Sequence, residues 1–220
     1  MPNKMKLTAA DLLSLFNPAD SDQFLAHFTT RHYPPKALVY SPFEEKNLVF
    51  VVKSGRLRVY LAYEDKEFTL ALLEPGDVFS THTPAFVQAL EGSEILVCST
   101  ATFREAVARR PELSLTMVKV LGELLKNSIE TIEGLAFKDV RLRLVDFLLG
   151  AAAERGRAST EGTVVQLGLG TEDIALLIGT TRQTISQIVN DFIKADLLRK
   201  IDRKTLLITD MDALKALREL

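Results

Sequence analysis

Apolar and polar positions along the 220-residue chain fall into three successive regimes. Leu7 to Phe16 spaces its apolar residues as an amphipathic helix does, and the pattern changes near Tyr33-Pro34-Pro35. From there to about Phe103, short apolar runs are broken by turns. Val39-Tyr40 precedes Ser41-Pro42, and Leu48 to Val52 is continuously apolar up to Lys53-Ser54-Gly55. Leu57, Val59 and Leu61 alternate with Arg58 and Tyr60, which predicts a half-buried strand. Tyr63 to Glu67 reads as a polar hairpin tip, Phe68 to Leu73 as the returning strand, and Glu74-Pro75-Gly76-Asp77 as a turn. Ile95 to Cys98 is a further buried strand. Short strands at this spacing predict a β-barrel or jelly roll.

The period then lengthens. Between Leu113 and Phe137 the set Val118, Leu121, Leu125, Ile129, Ile132 and Leu135 recurs at steps of three and four, with Met117, Val120 and Leu124 beside it. One stripe docks a helix on its own domain; a second adjacent stripe leaves apolar surface for a partner, here a second copy of the chain. Gly122 interrupts this helix at a cost of about 1 kcal/mol relative to alanine, so close packing is expected there. The pattern loosens at Gly134 and Phe137, and Asp139 is a good N-cap for a helix from Val140 to about Glu154. Arg155 to Gly162 reads as a polar loop and Val164 to Leu167 as a short strand.

Thr171 to Phe192, TEDIALLIGTTRQTISQIVNDF, carries the sharpest signal. Thr171 is expected to cap a first helix, with Glu172 and Asp173 in its first turn. Ala175 is small where two helices cross, Gly179 supplies the turn, and Thr180 or Thr181 caps a second helix with Ile185, Ile188 and Val189 facing inward. That spacing predicts a helix-turn-helix. Thr181, Arg182, Gln183, Thr184, Ser186 and Gln187 lie at its outward positions as candidate DNA contacts; arginine suits guanine edges and glutamine adenine edges. Leu197 to Ile201 and Thr205 to Ile208, joined by Asp202-Arg203-Lys204, form a predicted wing.

Composition narrows the class. Apolar residues make up 47% and charged residues 25%, which allows a sizeable core. There is no apolar run long enough to span a membrane and no signal-peptide core at the N-terminus. The single cysteine, Cys98, excludes an internal disulfide and a four-cysteine cluster, in keeping with a cytoplasmic chain. Net charge is −2, and residues 138–220 carry 13 Lys+Arg against 12 Asp+Glu, so DNA binding is argued from local pattern and not from charge. Paired carboxylates and Ser/His/Asp arrangements are absent, and no catalytic residue is assigned; an enzyme such as a haem peroxidase is disfavoured.

With these residues in view, the chain resembles the CRP/FNR family of bacterial transcription regulators, and within it the haem-containing carbon monoxide sensors. The resemblance runs end to end and is tightest in NLVFVVKSGRLRVYLAYEDKEFTL, GDVFSTHT, VKVLGELLKNS and LIGTTRQT. It implies an α+β architecture: a β jelly-roll sensor of the cyclic-nucleotide-binding type over residues 1–111, a long dimerisation helix over 112–137, and a winged helix-turn-helix over 138–220. It also implies a homodimer that binds a palindromic double-stranded DNA site and contacts RNA polymerase as an activator.

Subfamily chemistry separates the possible effectors. Cyclic-nucleotide members hold the phosphate with an arginine, whereas the corresponding stretch here, Phe79-Ser80-Thr81-His82-Thr83-Pro84-Ala85-Phe86, has none. A phosphate buried there would lack a cation. His82 lies where the carbon monoxide sensors place the proximal ligand of haem b (iron protoporphyrin IX). The resemblance also implies that Pro2 of the partner subunit, exposed by loss of Met1, supplies its amine as the second axial ligand. It places the haem against Val118, Leu121, Gly122 and Leu125, and the hinge at Phe137. Some such sensors carry a cysteine that ligates ferric iron two residues before the histidine; Ser80 stands there, so His82 and Pro2 are expected in both oxidation states. His27 and His32 are expected to be structural. Nitric oxide, or a small organic effector without haem, is the alternative to carbon monoxide.

Overall fold

A computed structural model describes residues 27–44, 47–109 and 111–218. The helix expected at Leu7–Phe16, and Pro2, lie outside the described residues. The chain divides into two units, with the change at Lys126–Asn127, inside the long helix.

In the first unit, eight strands form two antiparallel sheets. They are β1 (Thr29–Tyr33), β2 (Leu38–Tyr40), β3 (Leu48–Ser54), β4 (Leu57–Tyr63), β5 (Lys66–Leu73), β6 (Val78–Ser80), β7 (Phe86–Ala89) and β8 (Ser93–Ser99). Their order is β1-β8-β3-β6 in one sheet and β2-β7-β4-β5 in the other, the interleaving of a jelly roll. Side chains from both sheets meet in one core, including Tyr40, Phe50, Val52, Leu57, Leu73, Val87 and Ile95.

The alternation expected along β4 is not seen: Arg58 and Tyr60 are buried together with Leu57 and Val59, and Leu61 is exposed. Arg58 is covered because its Nε donates to Gln88 Oε1 at 2.8 Å and its guanidinium lies 4.1 Å from the centre of the Tyr60 ring. A paired, stacked arginine is tolerated where an isolated one would be costly. The sheet is followed by α1 (Thr100–Ala108), capped by the Ser99 hydroxyl, which accepts from Thr102 N–H at 3.1 Å.

The long helix α2 spans Pro111–Phe137. Its two apolar stripes have different fates. Val120 is buried, Leu124 packs on the jelly-roll core and Met117 is half-buried. Leu115, Val118, Leu121, Leu125, Ile129, Ile132 and Leu135 remain 44–69% exposed. A Cβ built on Gly122 meets no described atom within 4 Å, so the close packing expected there is not made within the protomer.

In the second unit, α3 (Val140–Arg155) begins at Asp139, whose carboxylate accepts from Leu142 N–H at 2.8 Å. The segment expected as a polar loop contains a strand, β9 (Gly156–Ser159), paired with β10 (Gly162–Gln166). Four exposed small or polar residues give β9 no hydrophobic signature; its partner strand supplies the order. Then come α4 (Thr171–Ile178), α5 (Arg182–Lys194), β11 (Leu198–Lys200), β12 (Thr205–Ile208) and α6 (Met211–Ala216). The sheet order is β11-β12-β10-β9, and the helices cover it as a winged helix-turn-helix.

Candidate sensor cleft and DNA-reading head

His82 follows β6, whose residues pair with β3 in the register Val49↔Ser80 and Phe50↔Phe79. Thr81, between Ser80 and His82, is fixed on every side. Its N–H donates to Leu48 O at 3.0 Å, its hydroxyl accepts from Leu48 N–H at 2.9 Å, and its carbonyl accepts from the buried Tyr40 hydroxyl at 2.5 Å. Because neighbouring residues of extended chain face opposite ways, an inward Thr81 leaves Ser80 and His82 together on the other side. There the Ser80 hydroxyl and His82 Nδ1 are 2.8 Å apart, and the imidazole is exposed.

His82 borders a cleft of about 310 Å³ lined also by Asn47, Ser99, Thr100, Ala101 and Arg104. Thr100 Oγ1 is buried without a hydrogen-bond partner among the described residues. The donor set fits an iron porphyrin: an accessible imidazole with Nε2 unengaged, and Arg104 to meet an anionic group. Val118, Leu121, Gly122 and Leu125 are exposed on α2 and do not line this cleft. Cys98 lies buried in β8, and burial pushes its thiol up to about 11. His27 and His32 are exposed, and no group of three metal-ligating side chains forms among the described residues.

The second unit is built around α4 and α5. The helix α4 starts one residue earlier than expected: Gly170 is the N-cap, and Asp173 caps its backbone by accepting from Gly170 N–H at 2.8 Å. Thr171 is therefore the first helical residue. Gly179 ends α4 in the left-handed region at φ 74°. Thr181 caps α5, accepting from Thr184 N–H at 3.2 Å.

Ile185, Val189 and Phe192 are buried, and Ile188 is half-buried. Thr181, Arg182, Gln183 and Gln187 are exposed. Thr184 and Ser186 are half-buried instead, and the Thr184 hydroxyl lies 2.9 Å from that of Thr181, drawn into the cap. Asn190, and Lys200, Arg203 and Lys204 of the expected wing, none of them among the candidate DNA contacts, line one groove with Ser186. The cluster of cations in the wing hairpin was the available signal.

Two buried charges tie this unit to the end of α2. Arg143 Nε donates to Ile178 O at 3.0 Å, and its Nη1 donates to Lys138 O at 2.7 Å. Asp146 accepts from Lys138 Nζ at 2.9 Å and from Arg218 Nε at 2.6 Å. Phe137, the last residue of α2, is 83% exposed. Among the described residues no helix is long and apolar enough to cross a membrane.

Known proteins match both units. The Crp-like helix-turn-helix domain matches residues 142–217, and the cyclic nucleotide-binding domain matches residues 30–110. A mutant of CooA from Carboxydothermus hydrogenoformans is 50% identical, with 98% of this chain and 99% of that one covered and a TM-score of 0.93. The imidazole-bound form of that organism's CO-dependent transcription factor CooA is 51% identical over the same shares, with a TM-score of 0.56. Its separately solved haem domain is 54% identical, covering 59% of this chain and 96% of that one, with a TM-score of 0.51. A jelly roll, a long helix and a winged helix-turn-helix in this order, matched along the whole chain at half identity, make it a member of the CRP/FNR family of DNA-binding transcription regulators.

Proposed function

We propose that the chain is a haem-dependent carbon monoxide-sensing transcription activator that works as a homodimer. The observation that carries this is His82: an exposed imidazole on a rigid strand end, opening on a cleft, in a chain half identical to CooA. The sensor is taken as residues 1–111, the dimerisation helix as 112–137 and the DNA-binding domain as 138–220.

His82, through Nε2, and the amine of Pro2 of the partner subunit are the groups that would hold haem b. An α-amine has an ordinary pKa of about 7.7–8.0, so it deprotonates for ligation at modest cost. When bound, ferrous haem supplies a site where CO competes with a weak amine donor.

The chain's own residues do the rest. Val118, Leu121 and Leu125 offer apolar surface on α2, and Gly122 leaves room beside them. Release of the N-terminal segment and new contacts along this face alter the pairing of the two α2 helices. The change passes through Phe137 to the DNA-binding domains. Carrying a two-state dimer from 1:99 to 99:1 needs about 5.5 kcal/mol of differential binding. Arg182, Gln183 and Gln187 read base edges, while Thr181, Thr184 and Ser186 position the helix and meet the backbone. RNA polymerase is the partner of the DNA-bound dimer.

The test is an absorption spectrum of the purified protein, reduced and then exposed to CO, paired with binding to operator DNA. A Soret band that shifts on reduction and again with CO, together with CO-dependent DNA binding, is expected. A colourless protein after expression with ample iron and haem precursor, or a His82→Ala variant with an unchanged six-coordinate spectrum, overturns the haem reading. A response to nitric oxide alone reassigns the gas.

A further inference from the structure

We infer that Arg143 is the positioning residue for the recognition helix: one buried guanidinium holds the carbonyl at the end of α2 and the carbonyl at the end of α4 at a fixed separation. The inference rests on the reading of the chain as a dimer whose two heads bind DNA together.

The need arises at two helix ends. The last carbonyls of an α-helix have no partner inside the helix and carry the negative end of its dipole. Neither α2 nor α4 has a basic residue in its own last turn. Arg143, near the start of α3, serves both. Its Nε donates to the carbonyl of Ile178, the last residue of α4, at 3.0 Å, and its Nη1 donates to the carbonyl of Lys138, just past α2, at 2.7 Å. Both acceptors are backbone carbonyls, so the direction of each bond is settled. The Arg143 N–H donates to Asp139 O at 3.0 Å, which anchors the stem as well as the head.

Arg143 is only 7% exposed. Burial disfavours its charged form, and the Asp139 carboxylate works the other way. A guanidinium is a rigid planar fork, so its two N–H groups fix the two carbonyls relative to each other, which a lysine ammonium does not do. Gly179 and Thr180 follow Ile178, and Thr181 then caps α5. The fork therefore sets the direction in which α5 leaves the end of the dimerisation helix. A plain helix cap would stabilise each end separately; a positioning residue makes the two ends depend on one another.

Hydrogen exchange on the full-length chain reads both ends. The Lys138 amide, bonded to Gly134 O, reports on α2, and the Gly179 and Thr180 amides, both bonded to Ala175 O, report on the turn. Arg143→Lys keeps the charge and loses the fork. Both ends should then exchange roughly 10- to 100-fold faster, the scale of a lost hydrogen bond from a charged group, while Phe147 and Leu148 inside α3 stay within about two-fold. The DNA readout uses the palindrome that the CO-bound wild type selects from a random duplex pool. Adding one base pair between its half-sites should weaken wild-type binding at least about 10-fold and Arg143→Lys binding less than about 3-fold, with similar affinity of both for a single half-site.

Faster exchange at one end only, or equally fast exchange inside α3, reduces Arg143 to a local cap and overturns the inference. An unaltered spacing preference in Arg143→Lys overturns it too. Should Arg143→Lys fail to fold, Arg143→Gln, neutral and too short for both carbonyls, carries the same measurements. A CO-exposed wild type that selects no palindrome defeats the proposed function, and exchange at the two ends then judges Arg143 by itself.

Discussion

Asp146 is only 2% exposed, yet burial does not keep it protonated. Desolvation pushes its carboxyl up, the bond from Lys138 and the charge of Arg218 are among the influences that pull it down, and the balance leaves it below the usual carboxylate range. A carboxylate whose pKa is depressed on folding stabilises the native state above its unfolded value, near 3.9. That contribution fades as pH falls through the native value. Asp146→Asn should therefore lose about 1–3 kcal/mol at neutral pH, with a shallower acid limb in urea midpoints measured against pH. Equal slopes for wild type and variant would refute this.

At the same scale, Arg182→Ala or Gln183→Ala should cost about 1–3 kcal/mol at particular operator positions and relax base preference there. Uniform weakening on all sequences, in a binding assay against an operator library, would mean phosphate contact instead. The outward face of α5 was legible because its apolar residues fall at helical spacing. The half-burial of Thr184 was not, since a threonine two residues inside a helix reads as exposed until its hydroxyl is seen in the cap. Asp146 was illegible too: its partners lie eight and seventy-two residues away.

Among the elements, α2 was the plainest in the sequence, because twenty-seven residues at one period leave little choice. The strands β1 and β9 were the hardest. Both are exposed and polar, and they exist because β8 and β10 offer them edges to pair with. Doubling of apolar stripes on α2 pointed to a partner helix, and the structure leaves the Val118-to-Leu135 stripe uncovered. Leu125→Asp should weaken dimerisation at least 100-fold, about 3 kcal/mol, by placing a carboxylate on that stripe. Sedimentation at a series of concentrations checks it, and an unaltered dimer would move the interface elsewhere. Gly179 sits at φ 74°, where an added Cβ is strained. Gly179→Ala should lower stability by about 1–2 kcal/mol in denaturant titration. No change would mean that the turn relaxes freely.

For the whole molecule, a strand-rich unit followed by a long helix was readable from changes of hydrophobic period, the helix-turn-helix from the spacing of Ala175, Gly179 and Ile185, and the jelly roll from the family resemblance. The effector was not: only the flanks of His82 and the missing arginine distinguish a haem site from a nucleotide site. A dimer of two reading heads should require half-sites one helical turn apart, about 34 Å. Inserting half a turn of DNA between them should abolish CO-dependent binding in a gel-shift assay, and a full turn should restore part of it. Insensitivity to spacing would argue for independent heads.

Lys138 belongs to two helices at once. Its N–H closes the last turn of α2 on Gly134 O at 3.1 Å, while its carbonyl is gripped by Arg143 at 2.7 Å. The same guanidinium grips the end of α4. Any bend between α2 and α3 must then be absorbed by the few torsions around Lys138 and Asp139. Arg143 thus fastens the Lys138 carbonyl, α3 and the tip of α4 into one hydrogen-bonded joint, so a substitution there loosens three elements at once.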